Sequence, residues 1–285
     1  MHRRAAPLCL LLALCLLLAL GLVSPVAFAR DALQSFGLAV RANDVSFVRQ
    51  MPELGLNERT RDDLSNNLLM LAIRDDGEAL VLALLKQPAW QSLEVLNYQN
   101  QLGETALMIA AVKGSVPVAR ALIGLGAEVN RAGWTPMHYA ATSGQVEIIR
   151  LLAEKSAYID AASPNKTTPL MMAARFNHRP AAAALIELGA DPTQTNESGF
   201  TARDYAKELN NKDLAFWLEL EEISFVNKYL KSISKAKEDA TLRDLVIQSG
   251  GEIVTVTSPK DASGRASEAP AVAPSAGVEV FKGIE

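Results

Sequence analysis

The chain has 285 residues, with 28 basic and 32 acidic side chains, a formal charge of −4 at pH 7 and no long basic block. That mildly acidic balance gives no electrostatic footing for nucleic acid, which is excluded as a partner. Both cysteines, Cys9 and Cys15, lie near the start, so from residue 30 onward disulfide, zinc-thiolate and cysteine-nucleophile chemistry are excluded.

His2, Arg3 and Arg4 precede an apolar run from Leu8 to Val23, followed by Ser24, Pro25 and the small-x-small exit Ala27-Phe28-Ala29. A basic start, an apolar middle and a small-residue exit make a secretory signal, so residues 1–29 are expected to be a signal peptide cut after Ala29. The alternative is an uncleaved anchor, because about 20 apolar residues can span a bilayer. Leu14 directly before Cys15 argues against a lipoprotein site. The expected location is the periplasm, with an inner-membrane-anchored periplasmic domain as the alternative; the membrane is a partner only if the signal stays uncut. A eukaryotic secretory route also fits the leader, and Asn165-Lys166-Thr167 and Asn196-Glu197-Ser198 match glycosylation acceptors.

From residue 30 to 221 one unit recurs. Small residues flanked by apolar ones stand at Ala39-Val40, Ala72-Ile73, Ala110-Ala111, Ala140-Ala141, Ala173-Ala174 and Ala206, spaced by 33, 38, 30, 33 and 33 residues. Four residues after each first alanine comes Asn43, Asp76, Gly114, Gly144, Asn177 or Asn210, the residue types that tolerate a left-handed backbone and end a helix. Eight, nine and twelve residues after it every position is apolar, as in Leu80, Val81 and Leu84 or Ile148, Ile149 and Leu152, which predicts a second helix buried on one face. Gly55, Gly126, Gly189, Pro88 and Ser156, sixteen residues after the alanine, end that second helix. Each unit is therefore helix, tight turn, helix, turn. A single hairpin cannot bury its apolar face alone, whereas stacked copies share it, each aliphatic side chain contributing about 1.5–3 kcal/mol.

Within these units Gly103-Glu104-Thr105-Ala106-Leu107-Met108, Gly133-Trp134-Thr135-Pro136-Met137-His138-Tyr139-Ala140-Ala141 and Thr168-Pro169-Leu170-Met171-Met172-Ala173-Ala174 resemble the ankyrin signature Gly-x-Thr-Pro-Leu-His-x-Ala-Ala. Gly126-Ala127-Glu128-Val129-Asn130 and Gly189-Ala190-Asp191 resemble its Gly-Ala-Asp-x-Asn ending. The resemblance implies an all-α ankyrin-repeat solenoid of about six helix-turn-helix repeats over residues 30–221, binding proteins on the concave surface of finger loops and first helices. It assigns His138 the structural role of hydrogen bonding adjacent loop backbone. Three departures stand out. The stretch between Asn130 and Gly133 is three residues short, five extra residues between the second and third copies lengthen another finger, and Lys166 replaces a glycine.

No chemistry accompanies this pattern. His138 and His178 are forty residues apart with no spaced carboxylate cluster, Asp75-Asp76-Gly77-Glu78 sits at a repeat turn, and neither a nucleophile elbow nor a phosphate loop is present. The chain is therefore expected to have no enzymatic activity, cofactor or metal. What remains is a strip of residues at matching positions in successive copies: Glu104, Lys113, Trp134, Thr142, Ser143, Thr167, Arg175, Phe176 and Phe200. Aromatics and arginine are the usual interface anchors, so this strip, centred on the third to sixth repeats, is expected to bind an unidentified protein. Individually, each aromatic could equally cover a neighbouring repeat. A self-assembling scaffold and an accessory factor in envelope or oxidative stress defence are the alternative functions.

Beyond the repeats, Ile223, Val226, Leu230 and Ile233 form an apolar stripe opposite Lys228, Lys231, Lys235 and Lys237, read as an amphipathic segment of capping helices over 222–250. Residues 251–285 are expected to be a flexible tail rich in Pro, Ala, Ser and Gly, with a short strand at Ile253 to Thr257 and an apolar Val278-Glu279-Val280-Phe281 suited to pairing with a sheet edge.

Overall fold

A computed structural model describes residues 25–248 of the protein, with side-chain surroundings from 30 to 237. The leader up to Ser24, the segment Ile253 to Thr257, the Pro-rich stretch and Val278 to Phe281 lie outside the described residues. Within them the chain is all-α, with no strand beyond an isolated bridge between Arg61 and Asn67. No described helix is long and apolar enough to cross a membrane.

Six units follow one another. The first is α1 (Pro25–Arg41) with a 3-10 turn at Val45–Arg49. The next four are the pairs α2 (Leu68–Arg74) and α3 (Glu78–Leu84), α5 (Ala106–Lys113) and α6 (Val116–Gly124), α7 (Pro136–Thr142) and α8 (Val146–Glu154), α9 (Pro169–Arg175) and α10 (Arg179–Glu187). A short α4 (Leu93–Leu96) lies between the second and third units, and the sixth pairs α11 (Ala202–Glu208) with α12 (Lys212–Gln248).

Local chemistry explains the boundaries. Asn67, Thr105, Thr168 and Thr201 precede the first helices, and the side chain of each accepts from the backbone N–H three residues on, at 2.9 Å for Asn67 and 3.3 Å for the threonines. Such a cap contributes about 1 kcal/mol. At the other end all six expected turn residues are left-handed, with φ of 53° at Asn43, 61° at Asp76, 71° at Gly114 and Gly144, 58° at Asn177 and 59° at Asn210. The next N–H then reaches back to the repeated alanine, as in Gly77 to Ala72 O at 2.8 Å, Gln145 to Ala140 O at 2.9 Å and Asn211 to Ala206 O at 2.8 Å. This closes the helix end in a Schellman arrangement.

Packing then stacks the units. Each first helix from α2 to α11 lies against the first helix of the following unit, and the second helices α3, α6, α8 and α10 pack in a parallel row. Ala72, Ala110, Ala140, Ala173 and Ala206 are fully buried, since a methyl group is all that the close helix approach admits. Of the apolar positions predicted on the second helices, only Val48 is not fully buried; Leu80, Val81, Leu84, Ile148, Ile149, Leu152 and their counterparts are sealed.

Two expectations change, and the Lys166 departure leaves its finger unaltered. The five extra residues do not lengthen a finger; Pro88 opens a 3-10 turn and the insertion packs back on the array, burying Trp90, Val95 and Leu96, with Gln91 Nε2 donating to Leu85 O at 2.9 Å and Asn67 Nδ2 to Val95 O at 3.3 Å. Lys166 keeps the tip of its finger intact by adopting φ 60°, the conformation Gly103 and Gly199 have at the same place. Ile223 and Val226, the start of the expected capping stripe, do not cover the last repeat. Its edge is filled by Leu214, Ala215 and Leu218 in the opening turns of α12, leaving Ile223 at 53% and Val226 at 42% exposure. One helix, not several, occupies 222–248. Among the described residues the repeats and α12 as far as Tyr229 belong to one compact unit, and the remainder of α12 from Leu230 belongs to a second.

Candidate functional site

The fingers are hairpins built alike. Asp62, Asn100, Ser163 and Asn196 each donate a backbone N–H to the carbonyl four residues on, at 3.0 to 3.1 Å, and their side chains accept from that residue's N–H. The shortened finger has no such turn. There Asn130 instead spans to the next loop, its Oδ1 accepting from Tyr158 N–H and its Nδ2 donating to Ser156 O, both at 2.8 Å. The residue before each first-helix cap is therefore delivered to one row: Asn66, Glu104, Trp134, Thr167 and Phe200.

The expected strip separates along this row. Upstream it is a closed polar network. Asn100 Nδ2 donates to Glu104 Oε2 at 2.8 Å and to Asn66 Oδ1 at 2.8 Å, Arg74 donates to Asn66 Oδ1 at 3.0 Å, and the Arg74 guanidinium lies 3.9 Å from Glu104. Tyr139 also hydrogen bonds Glu104; burial, and then that carboxylate, push its phenol up to about 12. Glu104 is thus engaged inside the array. Lys113 pairs with Asp76 on the preceding turn at 2.7 Å.

In the middle, Trp134 is 38% exposed and stands edge-on to the His138 ring with centroids 5.2 Å apart. Thr142 is half-buried and donates to His138 O at 2.8 Å, with Ser143 half-buried beside it at the end of α7. Thr167 departs from expectation: it is buried and cannot meet a partner. Its hairpin folds it beneath the fourth repeat, where its N–H is taken by Ser163 Oγ and its carbonyl by His138 Nε2, both at 2.9 Å. His138 accepts from Thr135 N–H through Nδ1 at 3.2 Å, so the ring proton is on Nε2 and donates to Thr167. Burial lowers the pKa of His138, consistent with a neutral ring holding two loops together.

Downstream the strip opens. Phe176 at the end of α9 is 47% exposed, and Arg175 beside it is exposed with its guanidinium 5.6 Å from the centroid of the Tyr205 ring. Phe200 is half-buried with its ring 5.7 Å from Tyr205. Arg175, Phe200, Tyr205, Asn196, Ser198, Glu208 and Leu209 line an open cleft of about 380 Å³. Sequence reasoning missed Tyr139, Tyr205 and Leu209. The first two share a register, one residue before the repeated alanine, and that register was the available signal. Among the described residues no group of three or more His, Cys, Asp or Glu is placed to hold a metal.

A family model described as "Ankyrin repeats (3 copies)" matches residues 36–132, 69–163 and 125–196. Over 140 residues the chain is 31% identical to the nuclear factor NF-kappa-B p105 subunit of Mus musculus, covering 47% of this chain and 14% of that protein. Over 156 residues it is 30% identical to the neurogenic locus notch homolog protein 1 of Xenopus laevis, covering 53% of this chain and 6% of that protein. The chain thus spans only a small part of the length of these relatives.

Proposed function

The chain belongs to the ankyrin-repeat family, and we propose that it is a non-enzymatic module that captures a protein partner along the finger and first-helix side of its third to sixth repeats. Ankyrin arrays are generally protein-interaction modules. The observation that carries the reading is the exposure of Trp134, on a row whose upstream members Asn66 and Glu104 are held by internal bonds, together with that of Phe176 and Arg175 at the end of α9. Large aromatics and arginine in a partly enclosed setting are what interface anchors are made of. Capture by the full chain is lost on replacing Trp134 and Phe176 together by alanine, while the melting temperature stays within a few degrees; retained capture refutes the proposal.

The partner is met outside the cytoplasm, in the periplasm, after cleavage behind Ala29. Supporting this is the leader pattern, with its basic start, apolar run and small-x-small exit at Ala27-Phe28-Ala29. N-terminal sequencing of the protein from its host gives Arg30 as the first residue; a chain starting at Met1 in the membrane fraction would instead mean an uncleaved anchor.

A further inference from the structure

The array contains its own reference for the downstream cleft. At the joint of the second and third repeats, Arg74 stands two residues after the repeated alanine and faces Glu104, which precedes the next cap, at 3.9 Å. Asn100, at the start of the same finger, donates to that carboxylate at 2.8 Å. At the joint of the fifth and sixth repeats the same three positions are Arg175, Phe200 and Asn196. Phe200 has replaced the carboxylate. Arg175 accordingly makes no ion pair among the described residues and lies over the Tyr205 ring, and Asn196 Nδ2 turns to the Tyr205 hydroxyl at 2.8 Å. The outcome is a guanidinium at the edge of an open cleft with Phe200, Tyr205 and the half-exposed Leu209 as its apolar wall.

Resting on the protein-binding reading above, we infer that this cleft receives an extended peptide segment in which one Asp or Glu side chain adjoins an apolar residue. The partner's carboxylate takes the place beside Arg175 that Glu104 fills beside Arg74, and the apolar side chain lies on Phe200 and Leu209. Arginine suits this task because its planar fork meets a carboxylate with two donors. Glu208 also lines the cleft without pairing to Arg175, so a single acid flanked by apolar residues fits better than an acidic run.

The test is selection of short random peptides, displayed with both free and amidated C-termini, on the full chain and on its Arg175→Gln, Arg175→Lys, Phe200→Ala and Phe176→Ala variants, each checked for an unaltered melt. The expected binders carry an internal Asp or Glu next to an apolar residue. They weaken about tenfold when that acid becomes its amide, as expected for one charge-assisted pair. The same loss follows Arg175→Gln, and Arg175→Lys restores part of it. Binders that depend on Phe176 but carry no acid, that need a free C-terminus, or that ignore Arg175→Gln overturn this inference and leave the protein-binding proposal standing. Binders indifferent to all four variants and also to Trp134→Ala overturn both.

Discussion

Replacing Asp160 by asparagine stabilises the array at neutral pH and leaves its stability unchanged near pH 4. The carboxylate accepts the Asp191 N–H at 3.1 and 3.3 Å across the joint of the fourth and fifth repeats. Earlier joints make the same bond without a charge: Asn97 accepts from Glu128 N–H at 2.9 Å and Asn130 from Tyr158 N–H at 2.8 Å. Burial pushes the Asp160 carboxyl up to about 6, outweighing the Asp191 N–H that favours the anion, and the Asp191 charge adds to the rise. A folded pKa above the unfolded value means that the contribution to stability is complete below the ordinary aspartate range and is lost as pH rises through about 6. At about 1.4 kcal/mol per pH unit the ionised group costs at most about 3 kcal/mol, and discounting for its partial exposure leaves about 1–2 kcal/mol. Asparagine keeps the acceptor, and Asn130 shows that its Nδ2 can find a carbonyl, donating to Ser156 O at 2.8 Å. Urea melts of both proteins from about pH 4 to pH 8 should show a difference in midpoint that grows through pH 6. A difference independent of pH, or a variant less stable at neutral pH, would refute the reasoning.

Three further substitutions probe the framework. Gly144→Ala combines a strained φ of 71° with a Cβ 2.7 Å from the His178 ring and should cost about 1–3 kcal/mol in a denaturant melt, whereas Gly199→Asn, at φ 76° with open space around it, should be near neutral. His138→Ala removes a sealed ring, strands the Thr135 N–H and leaves the Thr167 carbonyl with only the Ser163 N–H, costing about 2–4 kcal/mol. Because burial lowers the pKa of His138, that ring's contribution is present above the ordinary histidine range and is lost on acidification, so the cost of the alanine variant should shrink toward about pH 5. Lys113→Ala breaks an exposed pair with Asp76 and should change stability by under about 1 kcal/mol, less still at high salt.

The six left-handed turns were readable from the residues because the Schellman bond is local: it joins the residue after the turn to the repeated alanine five positions back. The buried faces were readable for the same reason, helical spacing being an intrinsic period. What escaped depends on contacts between repeats. Thr167 occupies a finger position like Trp134, yet only the 2.9 Å bond from His138, 29 residues earlier, decides that it is covered. The stripe at Ile223 and Val226 has genuine helical spacing, but Leu214, Ala215 and Leu218 have already filled the last interface. The insertion could have been placed from its own composition, since Trp90, Val95 and Leu96 are too apolar for a finger in solvent. Glu104 and Arg175 look alike as exposed charges in a list of positions, and they differ only because one has Arg74 opposite and the other has Phe200.

Photo-crosslinking in the native host, with the reactive residue placed in turn at Trp134, Phe176 and, on the second-helix row, Arg150, asks most directly where the partner sits. One protein species attached from positions 134 and 176 and absent from 150 is the expected pattern. Attachment confined to position 150 would contradict a binding surface on the finger and first-helix side.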